Sequence, residues 1–191
     1  MCSSDLTMKK AFSIREAAAD TFGIKIAQDA FSFQLKQLID RMNFHDKQIE
    51  ALDIEIMKYY EQFDCYLHTI PGIGIIGAAT ILAEIGDISR FKNSSALVAF
   101  AGIDPTVRQS GEFNSTHNHM SKRGSPYLRH AIFLAATTCS FHNSPLNAYY
   151  KKKRDQGKHH LTATGAVARK LTTVIYAVLR DSKPYEPKKF C

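Results

Sequence analysis

Residues 67–87 read "LHTIPGIGIIGAATILAEIGD", and the fold turns on how this stretch is parsed. Pro71 cannot continue a helix, and Gly72 and Gly74 supply a tight turn. Ile75, Ile76, Ala78, Ala79, Ile81, Leu82 and Ile85 then predict a mostly buried helix. Helix, P-G-I-G, helix has the look of a helix-hairpin-helix, over about residues 59–86. In that motif, Gly72 and Gly74 would let backbone N–H groups at a helix start approach a nucleic-acid phosphate. On the motif alone, a plain αα-hairpin turn fits equally well.

Upstream, an apolar heptad runs through Phe31, Leu35, Leu38, Met42, His45, Ile49, Leu52, Ile56, Tyr59, Phe63 and Tyr66, uninterrupted by Pro or Gly. Residues 28–66 are therefore predicted to form one coiled-coil helix, about 58 Å long at 1.5 Å per residue. Its seam needs cover, either from another part of the chain or from a second copy. A homodimer through residues 28–66 is the expected solution, with His45 a polar position on the seam. Residues 1–27 carry no strong pattern and read as a poorly defined leader.

Downstream, Ser94 or Ser95 is expected to cap a helix over residues 96–101. Ser125-Pro126 and Ser144-Pro145 each place an N-cap before a proline at the first helical position. Further helices follow to about His142, then over Leu146, Tyr149 and Tyr150 into Lys151, Lys152, Lys153 and Arg154 until Gly157. A last helix spans about 162–180, with Val167, Leu171, Val174, Ile175 and Val178 inward and Arg169 and Lys170 elsewhere on its circumference. The fold class is all-α: a long coiled-coil helix, then a helical domain over 67–186 with basic helices across 126–181.

Charge is divided unevenly. Residues 1–100 hold 10 Lys and Arg against 13 Asp and Glu, a net −3, while residues 101–191 hold 15 against 5, a net +10. The basic half is the expected polyanion binder, because clustered cations gain affinity by releasing counterions from phosphates. Cys2, Cys65, Cys139 and Cys191 are scattered without a C-x-x-C pair, which argues against a disulfide framework or a thiolate zinc site. No apolar run is long enough to span a bilayer and no signal-peptide layout is present, so no membrane association and a cytoplasmic location are expected.

Between two apolar runs lies "DPTVRQSGEFNSTHNHMSKRG", residues 104–124, a polar loop of a length that is usually functional or disordered. His117 and His119 alternate within it but lack a third ligand in register, a poor metal site, and His159-His160 is no better. No metal is therefore assigned to this segment.

Taken together, "IPGIG", "GIDPTVRQSGEF", "MSKRGSPYLRHA", "KKKRDQGKHH" and "AVARKLTTVIYAVLRDSKPY" resemble the C-terminal domain of insertion-sequence transposases of the IS110 (IS116/IS902-like) type. The resemblance covers about residues 67–186, and the heptad helix is also similar to that family's. It implies a recombinase whose N-terminal domain carries an Asp-Glu-Asp-Asp set binding Mg²⁺ and whose C-terminal domain supplies a serine that attacks DNA, guided by a structured RNA.

Carried onto this chain, the S-G step falls on Ser110 and Gly111, making Ser110 the implied nucleophile. The following K-x-G-x-x-x-L-R motif holds Lys122, Arg123, Gly124 and Arg129. A serine hydroxyl needs activation, and Arg108, Lys122, Arg123 and Arg129 are candidates to neutralise the phosphoryl group. Ser121 beside Lys122, and Ser115, are rivals off the family position. Lys151, Lys152, Lys153 and Arg154 are candidate phosphate contacts beside Tyr149 and Tyr150. About 27 residues precede the heptads, too few for the acidic domain, so the chain alone is expected to bind nucleic acid without completing recombination. A non-catalytic binding and dimerisation module is the alternative.

Overall fold

The computed structural model describes the backbone of residues 3–19, 28–105, 109–110, 113–114, 120–142 and 145–187. The chain divides into two compact units, residues 1–51 and 52–191. The first holds α1, Ser3–Ala19, and most of α2, Gln28–Tyr60. Within residues 1–27, read from sequence as a poorly defined leader, Ser3–Ala19 form helix α1. Its apolar residues keep no regular stripe, so periodicity did not reveal it.

Helix α2 forms for the expected reasons: no Pro or Gly interrupts it, Asp29 lies in its first turn and Lys58 in its last, complementing the helix dipole. The predicted end at residue 66 is corrected to Tyr60. There the buried phenol donates to the Cys65 carbonyl at 3.0 Å and sits 3.2 Å from His68 Nδ1, drawing residues 61–66 into a turn. Burial keeps this hydroxyl protonated by raising its pKa above the ordinary tyrosine range. The heptad residues Phe31, Leu35, Leu38, Met42, Ile49 and Leu52 are all exposed.

In the second unit, a 3₁₀ turn at Leu67–Thr69 leads into α3, Ile75–Ile85. Then come α4, Ser94–Ala101; α5, Pro126–Phe141; α6, Pro145–Asp155; and α7, His160–Asp181. Helix α7 packs against α4, α5 and α6, while α5 also packs against α3. Val167, Leu171, Val174, Ile175 and Val178 face the core as expected, joined by Ile81, Leu97 and Ile132. Full burial of such a side chain contributes about 1.5–3 kcal/mol, so this apolar cluster is the principal source of stability.

Local signals set the helix starts. Ser125 Oγ accepts from the Leu128 N–H at 3.1 Å with Pro126 opening α5, and it donates to Glu84 Oε2 at 2.5 Å, tying α5 to the end of α3. For α4 the cap is Asn93 rather than Ser94 or Ser95, its side chain accepting from the Ala96 N–H at 2.9 Å. Asparagine is as good a cap as serine, and its position one residue earlier lets the helix begin at Ser94.

Gly72 is explained by packing. Its φ is +88°, and a Cβ there would lie 2.6 Å from Cys139 Sγ and 2.9 Å from the Ala135 carbonyl. The turn presses its backbone onto α5, where the Cys139 thiol donates to the Pro71 carbonyl at 2.6 Å. Burial pushes that thiol up to about 11 and keeps it a donor. Among the described residues no helix is long and apolar enough to cross a membrane.

Candidate functional site

Helix α4 ends at Gly102, whose left-handed backbone (φ +65°) turns the chain outward. The outgoing and returning strands of the loop are fastened at its base. Ser121 N–H donates to the Asp104 carbonyl at 2.8 Å, Lys122 N–H to the Gly102 carbonyl at 3.0 Å, and Ser125 N–H to the Phe100 carbonyl at 2.9 Å. Ser121 Oγ adds a 2.5 Å bond to Asp104 Oδ1, and Pro105 pairs with Met120 across an antiparallel bridge.

Two glycines make this closure possible. A Cβ on Gly124 would fall 1.5 Å from the Phe100 carbonyl oxygen, and one on Gly102 would meet the backbone nitrogens of Arg123 and Gly124 at 2.9 Å. The clasp is therefore backbone against backbone, with no room for a side chain. Arg129 Nη1 closes it from below by donating to the Ala101 carbonyl at 3.3 Å, one of the carbonyls left open where α4 ends. Lys122 takes a left-handed φ of 54°, a strain of order 1 kcal/mol that the surrounding bonds hold in place.

Further out, the loop contains a small antiparallel pairing: β1, Gln109–Ser110, and β2, Phe113–Asn114, with Ser110 opposite Phe113. The loop predicted over 104–124 is thus a pinned excursion with a two-residue ladder at Ser110. Arg108, Gly111, Ser115, His117 and His119 lie outside the described residues, as does the side chain of Ser110.

The remaining candidates fall in separate places. Gly74 caps the start of α3 with no side-chain partner, and a Cβ there would meet nothing within 4 Å. Lys122 and Arg123 are exposed. Lys151, Lys152 and Arg154 are exposed on α6, while Lys153 lies 5.5 Å from the Tyr149 ring centre and donates to Gln156 at 3.2 Å. Lys122, Arg123, Gly124 and Arg129 are brought together at the loop base; the lysine run belongs to another element.

One feature the sequence reading missed is an open groove of about 400 Å³ lined by Ser94, Ser95, Asp104, Tyr149, Arg169 and Lys170. Periodicity places Arg169 and Lys170 off the buried face of α7 but gives them no partner, because they stand apart from the contiguous basic run. Their relation to Ser94 spans three helices and leaves no local signal. Among the described residues no three His, Cys, Asp or Glu side chains gather as a metal site. His159 accepts from the Leu161 N–H at the start of α7, and His160 Nδ1 lies 2.6 Å from the Tyr150 hydroxyl.

Residues 64–151, which contain the Ser110 loop and its clasp, match the sequence model described as Transposase IS116/IS110/IS902 family. The chain belongs to the IS116/IS110/IS902 transposase family. It is 35% identical over 145 residues to the "Insertion element IS110 uncharacterized 43.6 kDa protein" of Streptomyces coelicolor, covering 74% of this chain and 35% of that protein. It is 31% identical over 172 residues to the "Pilin gene-inverting protein" of Moraxella bovis, covering 84% and 52% respectively. The "Insertion element IS900 uncharacterized 42 kDa protein" of Mycobacterium paratuberculosis is 32% identical over 151 residues, covering 74% and 38%. The match spans about a third to a half of the length of these relatives. Within the transposase match, Gly124 and Arg129 build the loop base, whereas Lys122 and Arg123 face solvent.

Proposed function

We propose that this chain is the C-terminal part of a DNA recombinase, which binds nucleic acid and delivers Ser110 as the nucleophile for strand cleavage and transfer. The observation that carries this reading is the transposase match over residues 64–151, within which Ser110 sits on a loop clasped to a rigid helical base. In the reaction, Ser110 Oγ attacks a DNA phosphorus, a P–O bond to deoxyribose breaks, and the sugar hydroxyl leaves with a proton. One phosphodiester is exchanged for a serine phosphodiester, so no ATP is consumed. Lys122 and Arg123, exposed at the loop base, and Arg108 are the candidates to balance the transferring phosphoryl charge.

The Mg²⁺ implied by the resemblance would be held by an acidic domain other than the helical unit. The described residues have no cluster of carboxylates fitted to it. DNA is the proposed substrate and a structured guide RNA a second partner. The name of the Moraxella protein, gene inversion, is also strand exchange, in keeping with a recombinase. The exposed seam of α2 supports a homodimer through residues 28–66, since a row of apolar side chains at heptad spacing is stabilised by pairing.

Two measurements test these points. Fluorescence anisotropy with duplex DNA should give an affinity falling about a hundredfold between 50 and 200 mM salt if about four phosphates are neutralised. Absent or salt-insensitive binding would favour a bare oligomerisation fragment. Sedimentation should give a dimer that Leu38→Lys with Leu52→Lys converts to monomer. A wild-type monomer at every concentration would overturn the paired seam.

A further inference from the structure

We propose that the groove between α4, α6 and α7 is a seat for a nucleic-acid phosphodiester backbone, placed to hold a strand beside the base of the serine loop. This rests on the nucleic-acid-binding function proposed above and names the surface that performs it.

The groove has the chemistry of a phosphate track. Arg169 and Lys170 come from α7, and Ser94 and Ser95 bring hydroxyl donors from the first turn of α4. Helix α7 carries no acidic residue before Asp181, and α6 none before Asp155, so neither helix brings a carboxylate to the groove. Arg169 makes no ion pair among the described residues. Its guanidinium is therefore available for the bidentate bonds that suit phosphate oxygens.

Tyr149 decides between backbone and base recognition. Lys153 Nζ lies 5.5 Å from its ring centre and Lys170 Nζ 5.7 Å, so two ammonium groups already occupy the ring. A ring engaged in this way is no stacking platform. It restrains two long side chains and lowers the entropy they lose on meeting phosphates. The site therefore reads charge and spacing rather than sequence.

Asp104 gives the groove its orientation. This carboxylate lines the groove and accepts the Ser121 hydroxyl at the loop base, so it repels phosphate there and joins the groove to the base of the serine loop. A strand lying against Arg169, Lys170 and Ser95 would run up to the loop that carries Ser110. Lys151, Lys152 and Arg154 are further exposed cations on α6, the helix that brings Tyr149 to the groove.

The test uses the full chain with two fluorescein-labelled probes, a duplex DNA and a structured RNA hairpin, each titrated across a salt series. Arg169→Gln with Lys170→Gln should weaken binding at least tenfold and reduce the log–log salt slope by about two. Ser95→Glu provides a second variant. An acid in the first turn of α4 favours the helix, so the thermal midpoint should hold while binding falls. The probe whose affinity drops identifies the strand that the groove holds. Lys36→Gln with Lys47→Gln on α2 removes the same charge elsewhere and should leave the slope within half a unit of wild type. If wild type binds with steep salt dependence while both groove variants match it, the groove is not the seat and the recombinase reading stands. If wild type binds neither probe, the parent reading falls with it.

Discussion

Ser110→Ala, introduced into a chain joined to the proposed Mg²⁺-binding domain, should abolish the proposed covalent protein–DNA adduct and leave DNA affinity within about twofold. Nothing else in the side chain of alanine can accept the phosphoryl group, so residual adduct should fall by at least a thousandfold, the usual scale for removing a nucleophile. The discriminating comparison is Ser121→Ala. Ser121 Oγ already donates to Asp104 at 2.5 Å, and its N–H donates to the Asp104 carbonyl at 2.8 Å, so its role is to fasten the loop. Losing that side-chain bond leaves a carboxylate short of one partner and should cost about 1–3 kcal/mol in loop closure. The adduct should therefore form more slowly with Ser121→Ala yet still map to Ser110 by mass spectrometry. An adduct that survives Ser110→Ala and vanishes with Ser121→Ala would reverse the two roles.

How far the sequence reveals this molecule depends on the range of the interaction concerned. Ser125-Pro126 was readable to the residue because a cap and a proline act within one helical turn. The apolar spacing of α7 likewise marked its buried side, Val167 through Val178, before any partner was known. The end of α2 was misjudged because Tyr60 is held by Cys65 and His68, not by a Gly or Pro. Asn93 displaced two serines as the cap of α4 because three good capping residues stand in a row, and only the backbone decides among them. For the candidate site, the residue types around Ser110 and Lys122 were visible through resemblance, but their mechanical roles were not. Gly124 meeting Phe100, Arg129 meeting Ala101, and Arg169 sharing a groove with Ser94 are contacts across more than twenty residues of chain, with no periodic trace.

Gly124→Ala should lower the thermal midpoint of the helical unit by roughly 10 °C, about 3 kcal/mol for a domain of this size. The reason is steric and lies outside the backbone angles: Gly124 is not among the glycines with positive φ. Its added Cβ would sit 1.5 Å from the Phe100 oxygen, 2.3 Å from the carbonyl carbon and 3.1 Å from the Gly102 nitrogen. These are backbone atoms in the last turn of α4, so no side chain can rotate away. Relief requires shifting either that turn or the start of α5. Either movement breaks the 2.9 Å bond from Ser125 N–H to the Phe100 carbonyl and pulls Ser125 off Glu84. The same shift opens the clasp that positions the Ser110 loop, so adduct formation should fall by more than the loss of folded protein explains. Arg123→Ala, one residue away but exposed, supplies the control and should change stability by no more than about 0.5 kcal/mol. Circular dichroism melts, with hydrogen exchange at the Lys122 and Ser125 amides, separate the two levels. Faster exchange at both amides in the alanine variant is the expected mark of an opened base, and an unchanged melt with protected amides would show that α4 and the loop return do not meet at Gly124.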